Sequence, residues 1–132
     1  MTVFLDTVGL LALWNRRDQW HAAAAEAFSE LVANEARLVT TTCVLVECGN
    51  AAARFPFRQL VVELRNELRG ANDLLTPTPD ECDAAWAAYA RGEAAQAGIV
   101  DHVSFIVMHR EGLTQVFSND THFRAAGFET LF

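Results

Sequence analysis

The chain has 132 residues, 52% of them hydrophobic, and its 10 cationic side chains face 17 carboxylates for a net charge of −7. That length suits one domain with a single core, and the apolar fraction excludes a disordered chain. The acidic balance excludes a general electrostatic grip on nucleic acid, so any such binding must be local or metal-assisted. All the cations are Arg, which removes the lysine-dependent P-loop and Schiff-base chemistry.

Val3-Phe4-Leu5 is a short apolar run with the length of a buried strand. Asp6 ends it, and Gly9 to Trp14 reads as a helix, so Asp6 stands either as a helix cap or at the carboxyl end of a strand, where open α/β sheets form binding crevices. After the polar break Asn15-Arg16-Arg17-Asp18, a helix is predicted from Gln19 to about Asn34, with Ala25, Phe28, Leu31 and Val32 on its buried face. Leu38-Val39-Thr40 is a second strand, and Thr41 or Thr42 caps a helix through Glu47 to near Phe55. Pro56 fits the first turn of the next helix, Phe57 to Arg69, closed by Gly70. Leu74-Leu75 is a weak third strand. From Asp80 a helix is predicted to run unbroken to about Ala97, with Gly98 as its stop. Asp101 then opens a helix to Gly112, Gln115-Val116-Phe117 is a fourth strand, Thr121 to Ala126 is a helical turn, and Phe128 to Phe132 is a last edge strand. Strands alternating with helices predict one α/β domain over residues 1–132, a small, mostly parallel sheet of four to five strands with helices on both faces.

Charge is informative where it is missing. Asp6 is the only ionisable side chain from Met1 to Asn15, and Glu47 the only charged one from Leu38 to Ala53. Asp101 is the only carboxylate between Ala94 and His109, and Asp120 the only one between Gly112 and Phe123. Each has an ordinary alternative: Asp6 and Asp101 as caps, Asp120 in a Ser-Asn-Asp turn, Glu47 paired with Arg54. Buried acids need cations, however, and the arginines sit mostly elsewhere in the chain, so a shared divalent metal answers the need of all four. Asp6 and Asp120 follow strands, while Glu47 and Asp101 lie near helix starts, which lets all four project over one edge of the sheet.

The order strand-Asp6-Thr7, an acid in the apolar helix Val44-Leu45-Val46-Glu47, Ile99-Val100-Asp101-His102 and Phe117-Ser118-Asn119-Asp120 resembles a PIN domain, and by size and layout the VapC-type toxins of toxin–antitoxin pairs. The resemblance implies an endoribonuclease using one or two Mg²⁺ or Mn²⁺ ions, with Asp6, Glu47, Asp101 and Asp120 as its acidic quartet and Ser118 as the supporting hydroxyl. Asp6 and Asp101 are then direct ligands, Asp120 a direct or water-bridged one, and Glu47 a ligand or the base that orients the attacking water. Where the family commonly has a small polar residue after Asp-Thr, this chain has Val8, a departure that touches a supporting hydrogen bond and not the metal site itself. The alternative is a catalytically silent PIN-fold module that binds RNA or protein.

Arg16, Arg17, Arg54, Arg58 and Arg124 are candidate RNA contacts by their closeness to site-bearing segments. Trp14, Trp20, Phe55 and Phe57 are candidates for the core or for an interface with a cognate antitoxin or a second copy, since the resemblance implies both partners. His102, His109 and His122 have no spacing that resembles a zinc site. Receiver-type phosphorylation would need a pocket Lys, and a haloacid-dehalogenase-type phosphatase an Asp where Val8 stands. Three cysteines without a C-x-x-C pair predict a reducing compartment. With no signal core or membrane-length apolar run, the sequence predicts a cytoplasmic protein without membrane attachment.

Overall fold

In the computed structural model, which describes residues 1–132, five strands join one sheet. β1 (Thr2–Leu5), β2 (Arg37–Thr41), β3 (Leu74–Leu75), β4 (Gln115–Phe117) and β5 (Glu129–Thr130) stand in the order β3-β2-β1-β4-β5. Every pairing is parallel. Val3, Phe4 and Leu5 are fully buried because β1 has a neighbour on each side and helices on both faces, which is why it reads as an uninterrupted apolar run.

α1 (Thr7–Trp14) and α2 (His21–Ala33) connect β1 to β2, and α3 (Thr42–Ala52) and α4 (Arg58–Gly70) connect β2 to β3. α5 (Pro79–Ala90), the one-turn α6 (Glu93–Gln96) and α7 (Ile99–Arg110) return the chain from β3 to β4, and α8 (Thr121–Ala125) leads to β5. Parallel crossovers are right-handed, so connections running one way along a sheet lie on one face and those running back lie on the other. The packing largely follows this rule: α1 contacts α2 and α3, and α3 contacts α4, while α5 packs on α7, and α8 on α6 and α7; α3 and α7 also meet, where both line one cavity. Phe4, Leu10, Val44, Met108, Phe117 and Phe123 are among the fully buried side chains that fill the space between. The chain leaves β1 in one direction and later returns to add β4 on its other side. This reversal creates a crevice beyond the carboxyl ends of β1 and β4, the usual ligand position in open α/β sheets.

One close approach fixes that crevice. A Cβ at Gly9 would lie 2.1 Å from the Phe117 carbonyl oxygen. Only glycine lets the first turn of α1 rest on the end of β4.

The long helix predicted to reach Ala97 ends instead at Ala90. Gly92 takes a left-handed conformation (φ 67°), and Ala94, Ala95 and Gln96 continue in it at φ 53°, 55° and 64°. A left-handed residue with a Cβ costs about 1–2 kcal/mol, and here the tertiary path outweighs that preference. The left-handed turn buries Ala97 and delivers Gly98 to the start of α7. The expected last strand shortens to Glu129–Thr130. No helix is long and apolar enough to cross a membrane.

Candidate active site

Asp6 follows β1 and caps α1, its Oδ2 accepting the Val8 N–H at 3.3 Å. The same oxygen accepts the Ser118 hydroxyl at 2.9 Å. Capping and placement in the crevice are therefore done by one side chain. Asp6 is 1% exposed. Burial is the main reason its carboxyl is pushed up to about 7; the nearby Asp101 charge adds to this, and the Ser118 hydroxyl and backbone N–H groups oppose it.

Ser118, fully buried at the end of β4, also accepts the Asp120 N–H at 3.1 Å. One hydroxyl thus ties Asp6 to the loop that carries Asp120. Asp120 caps α8, with its Oδ1 accepting the His122 N–H at 2.9 Å. Asp101 is the third residue of α7 rather than its opening residue, because Gly98 is the cap and donates its N–H to Asp101 Oδ2 at 3.2 Å. Burial, then the charges of Asp120 and Glu47, push the Asp101 carboxyl up to about 6 against the pull of the Gly98 N–H and His122. Asp101 thus shares its field with Asp6, Glu47, Asp120 and His122.

Glu47 differs from the other three. It is exposed on α3, at the rim of a cavity of about 340 Å³ lined by Thr42, Cys43, Val46, Asn50 and Val100. Its isolation in the sequence therefore does not come from its own burial; its uncharged neighbours are either core residues of β2 and α3, such as Val39, Val44, Leu45 and Cys48, or walls of this cavity. It makes no ion pair with Arg54. None of the four carboxylates has an arginine partner: Arg37 pairs with Asp73, Arg91 with Glu93, and Arg110 with Glu81 and Glu111.

The one cationic-capable group beside the acids is His122, which sequence reasoning did not place there. Its Nδ1 is 2.9 Å from Asp120 Oδ1 and 3.8 Å from Asp101 Oδ2. One ligand atom from each of Asp101, Asp120 and His122 falls within 4.8 Å of the others. The Nδ1 atom is buried and has no hydrogen-bond partner, so the short distance to Asp120 lacks hydrogen-bond direction. The available sequence signal was Asp120-Thr121-His122, a His in the first turn of a helix capped by a site acid. His102 and His109 lie elsewhere, among Tyr89, Phe105 and Phe128.

The candidate RNA-contacting arginines divide. Arg16 and Arg17 line a second cavity, about 510 Å³, with Trp14, Phe55, Phe57 and Leu60. Phe55 is half exposed and stacks on the buried Phe57, ring centroids 5.5 Å apart. Arg54 and Arg58 flank these rings in sequence, Arg58 donating to the Ala53 carbonyl at 3.1 Å. Arg124 is committed elsewhere, donating to Thr130 Oγ1 at 2.7 Å and to the Phe132 carbonyl at 3.4 Å.

A parallel sheet with acids gathered at its switch point defines a class, and the sequence profile of the PIN domain matches residues 3–129. The chain belongs to the PIN-domain family. Its likeness within that family is to the VapC type: it is 28% identical over 131 residues to the 23S rRNA-specific endonuclease VapC20 of Mycobacterium tuberculosis, covering 96% of this chain and 95% of the relative. The crystal structure of VapC20, a sarcin-ricin loop cleaving toxin, superposes with a TM-score of 0.76 at 25% identity over 96% of this chain and 95% of that one. FitAB bound to an IR36 DNA fragment (TM-score 0.70, 16% identity, 98% and 93% coverage) and FitAcB from Neisseria gonorrhoeae (0.65, 16%, 100% and 97%) share the fold.

Proposed function

We propose that this protein is an endoribonuclease of the VapC type that hydrolyses RNA phosphodiester bonds with a divalent ion, Mg²⁺ or Mn²⁺, held by Asp6, Asp101 and Asp120. The observation that carries the reading is that Asp101 and Asp120 stand together, that Asp6 is tied to Asp120 through Ser118 and feels the Asp101 charge, and that none of the three has an arginine partner. The Asp6 and Asp101 carboxyls are pushed up to about 7 and about 6. Oxygen donors of this kind suit hard divalent cations, and the unpartnered His122 Nδ1 beside them fits a missing positive centre. A bound divalent ion would supply positive charge to the scissile phosphate and make water a better nucleophile.

The chain's own groups do the rest. Ser118 holds Asp6 Oδ2 in place and links it to Asp120. Glu47, exposed at the rim, is free to take the proton of the attacking water. The walls beside Glu47 (Val46, Asn50 and Val100) would receive the nucleotide next to the cut. End-to-end likeness to VapC20 supports a ribosomal RNA loop as the first substrate to try. The same reading includes a cognate antitoxin and a second copy of the chain as partners; half-exposed Phe55, Trp86 and Tyr89 supply apolar surface for them.

The test is cleavage of 23S rRNA and of an unrelated structured RNA by the purified chain with added Mn²⁺ or Mg²⁺. Cutting should require the metal, stop with EDTA, and be abolished by Asp6→Asn. Cleavage that survives both chelation and that substitution would sink the assignment.

A further inference from the structure

We infer that His122 is a nitrogen ligand of the divalent ion, which makes the site a mixed carboxylate–imidazole centre biased toward Mn²⁺ over Mg²⁺. The inference rests on the metal-dependent reading above and goes beyond the four acids. It starts from a distance that is short without being a hydrogen bond. His122 Nδ1 stands 2.9 Å from Asp120 Oδ1, yet that nitrogen has no hydrogen-bond partner and no exposed surface. Asp120 Oδ1 is already engaged by the His122 backbone N–H. A buried polar atom in that position costs free energy unless something else satisfies it.

Coordination geometry supplies the alternative. Two atoms each about 2.1 Å from an octahedral ion lie about 3.0 Å apart when adjacent and about 4.2 Å apart when opposite. The Nδ1–Asp120 separation of 2.9 Å matches an adjacent pair, whereas the Nδ1–Asp101 separation of 3.8 Å matches neither, so the fit rests on the Asp120 pair. The elements hold this arrangement firmly. Asp120 caps α8, His122 follows in its first turn, and Phe123 next to it is fully buried, which fixes the backbone that carries the ring. The ring is a third exposed, which leaves its far edge open to water while Nδ1 faces inward. An imidazole nitrogen is a softer donor than carboxylate oxygen, and Mn²⁺ stands above Mg²⁺ in its acceptance of nitrogen.

The experiment is pulsed electron paramagnetic resonance on the full chain loaded with Mn²⁺, with calorimetric titration of Mn²⁺ and Mg²⁺ alongside. The wild-type spectrum should show a directly coordinated ¹⁴N, and His122→Gln should lose it. The substitution should weaken Mn²⁺ about tenfold or more while changing Mg²⁺ by less than about threefold. Circular dichroism checks that His122→Gln folds, and the wild-type spectrum decides the question even if it does not. Mn²⁺ bound with no nitrogen coupling in the wild type overturns this inference alone and leaves His122 as an imidazolium that pairs with the acids. A wild type that binds no Mn²⁺ overturns both this inference and the metal-dependent reading.

Discussion

Replacing Asp6 by Asn should stabilise the metal-free protein while removing its activity. In the folded chain the Asp6 carboxyl is raised from 3.8 to about 7, chiefly by burial. The folded state therefore holds that proton more tightly than the unfolded chain, and stability falls as pH rises from about 4 to about 7, after which this group adds no further change. Ionised Asp6 then costs up to about 4 kcal/mol, since each tenfold gain in proton affinity on folding corresponds to about 1.4 kcal/mol. Asn keeps an oxygen for the Ser118 hydroxyl and the Val8 N–H, and is itself a good helix cap, so the charge is the main thing lost. Allowing for relaxation around the bare carboxylate, Asp6→Asn should gain about 2–4 kcal/mol at pH 8 in EDTA, or about 6–15 °C in Tm for a domain of this size. At pH 5 the gain should shrink to roughly a third, because wild-type Asp6 is then protonated. Added Mn²⁺ should reverse the ranking, raising the wild-type Tm and leaving the variant unmoved. Thermal melts at the two pH values, with and without metal, read all of this. A variant that melts at or below the wild type at pH 8 in EDTA, or a gain that does not depend on pH, would show that a buried charge at Asp6 is not what destabilises the metal-free protein.

Gly9→Ala should destabilise by about 2 kcal/mol or more and cut activity, because the new methyl would meet the Phe117 backbone at 2.1 Å and push α1, with Asp6, off β4; urea unfolding measures this, and a neutral result would contradict the tight seat. Ser118→Ala removes a donor to Asp6 and an acceptor for the Asp120 N–H. Its loss should weaken Mn²⁺ binding about tenfold at pH 7 by calorimetry, with an unchanged Kd counting against the bridge. Ala95→Gly should stabilise by about 1 kcal/mol, since Ala95 is exposed at φ 55°, whereas Ala87→Gly in right-handed α5 should cost about as much. Equal effects of the two glycines in urea melts would show that the turn at 93–96 is not left-handed.

The fold was legible where local pattern and tertiary demand agree. Val3-Phe4-Leu5 and Gln115-Val116-Phe117 are apolar because both faces of the sheet are covered, and they formed the strands their composition announces. The stretch Glu93-Ala94-Ala95-Gln96-Ala97 was misleading for the opposite reason: nothing in an alanine-rich run reveals that the chain must turn left-handed to start α7 on time. At the site, charge isolation marks Asp6, which is buried, and Asp101 and Asp120, which are partly buried beside it, because neighbours of such groups are core residues. Glu47 stood out by the same signal although it is exposed, since cavity walls and protein core exclude neighbouring charges alike. For His122 the order Asp120-Thr121-His122 signals only closeness to the cap; its approach to Asp101 depends on the direction in which a five-residue helix leaves that cap.

The sheet ends on both sides in strands of two residues, β3 and β5. Edges this short offer only a short row of unpaired backbone groups, so an incoming peptide gains little affinity by adding a strand, and edge-to-edge growth is disfavoured. Recognition is thereby left to helix-borne side chains, such as those around Phe55 and Trp86. Backbone pairing tolerates almost any sequence, whereas side-chain pockets change their preference with single substitutions. A scaffold closed at its edges therefore makes its choice of partner a matter of a few helix side chains, each of which a single substitution can alter.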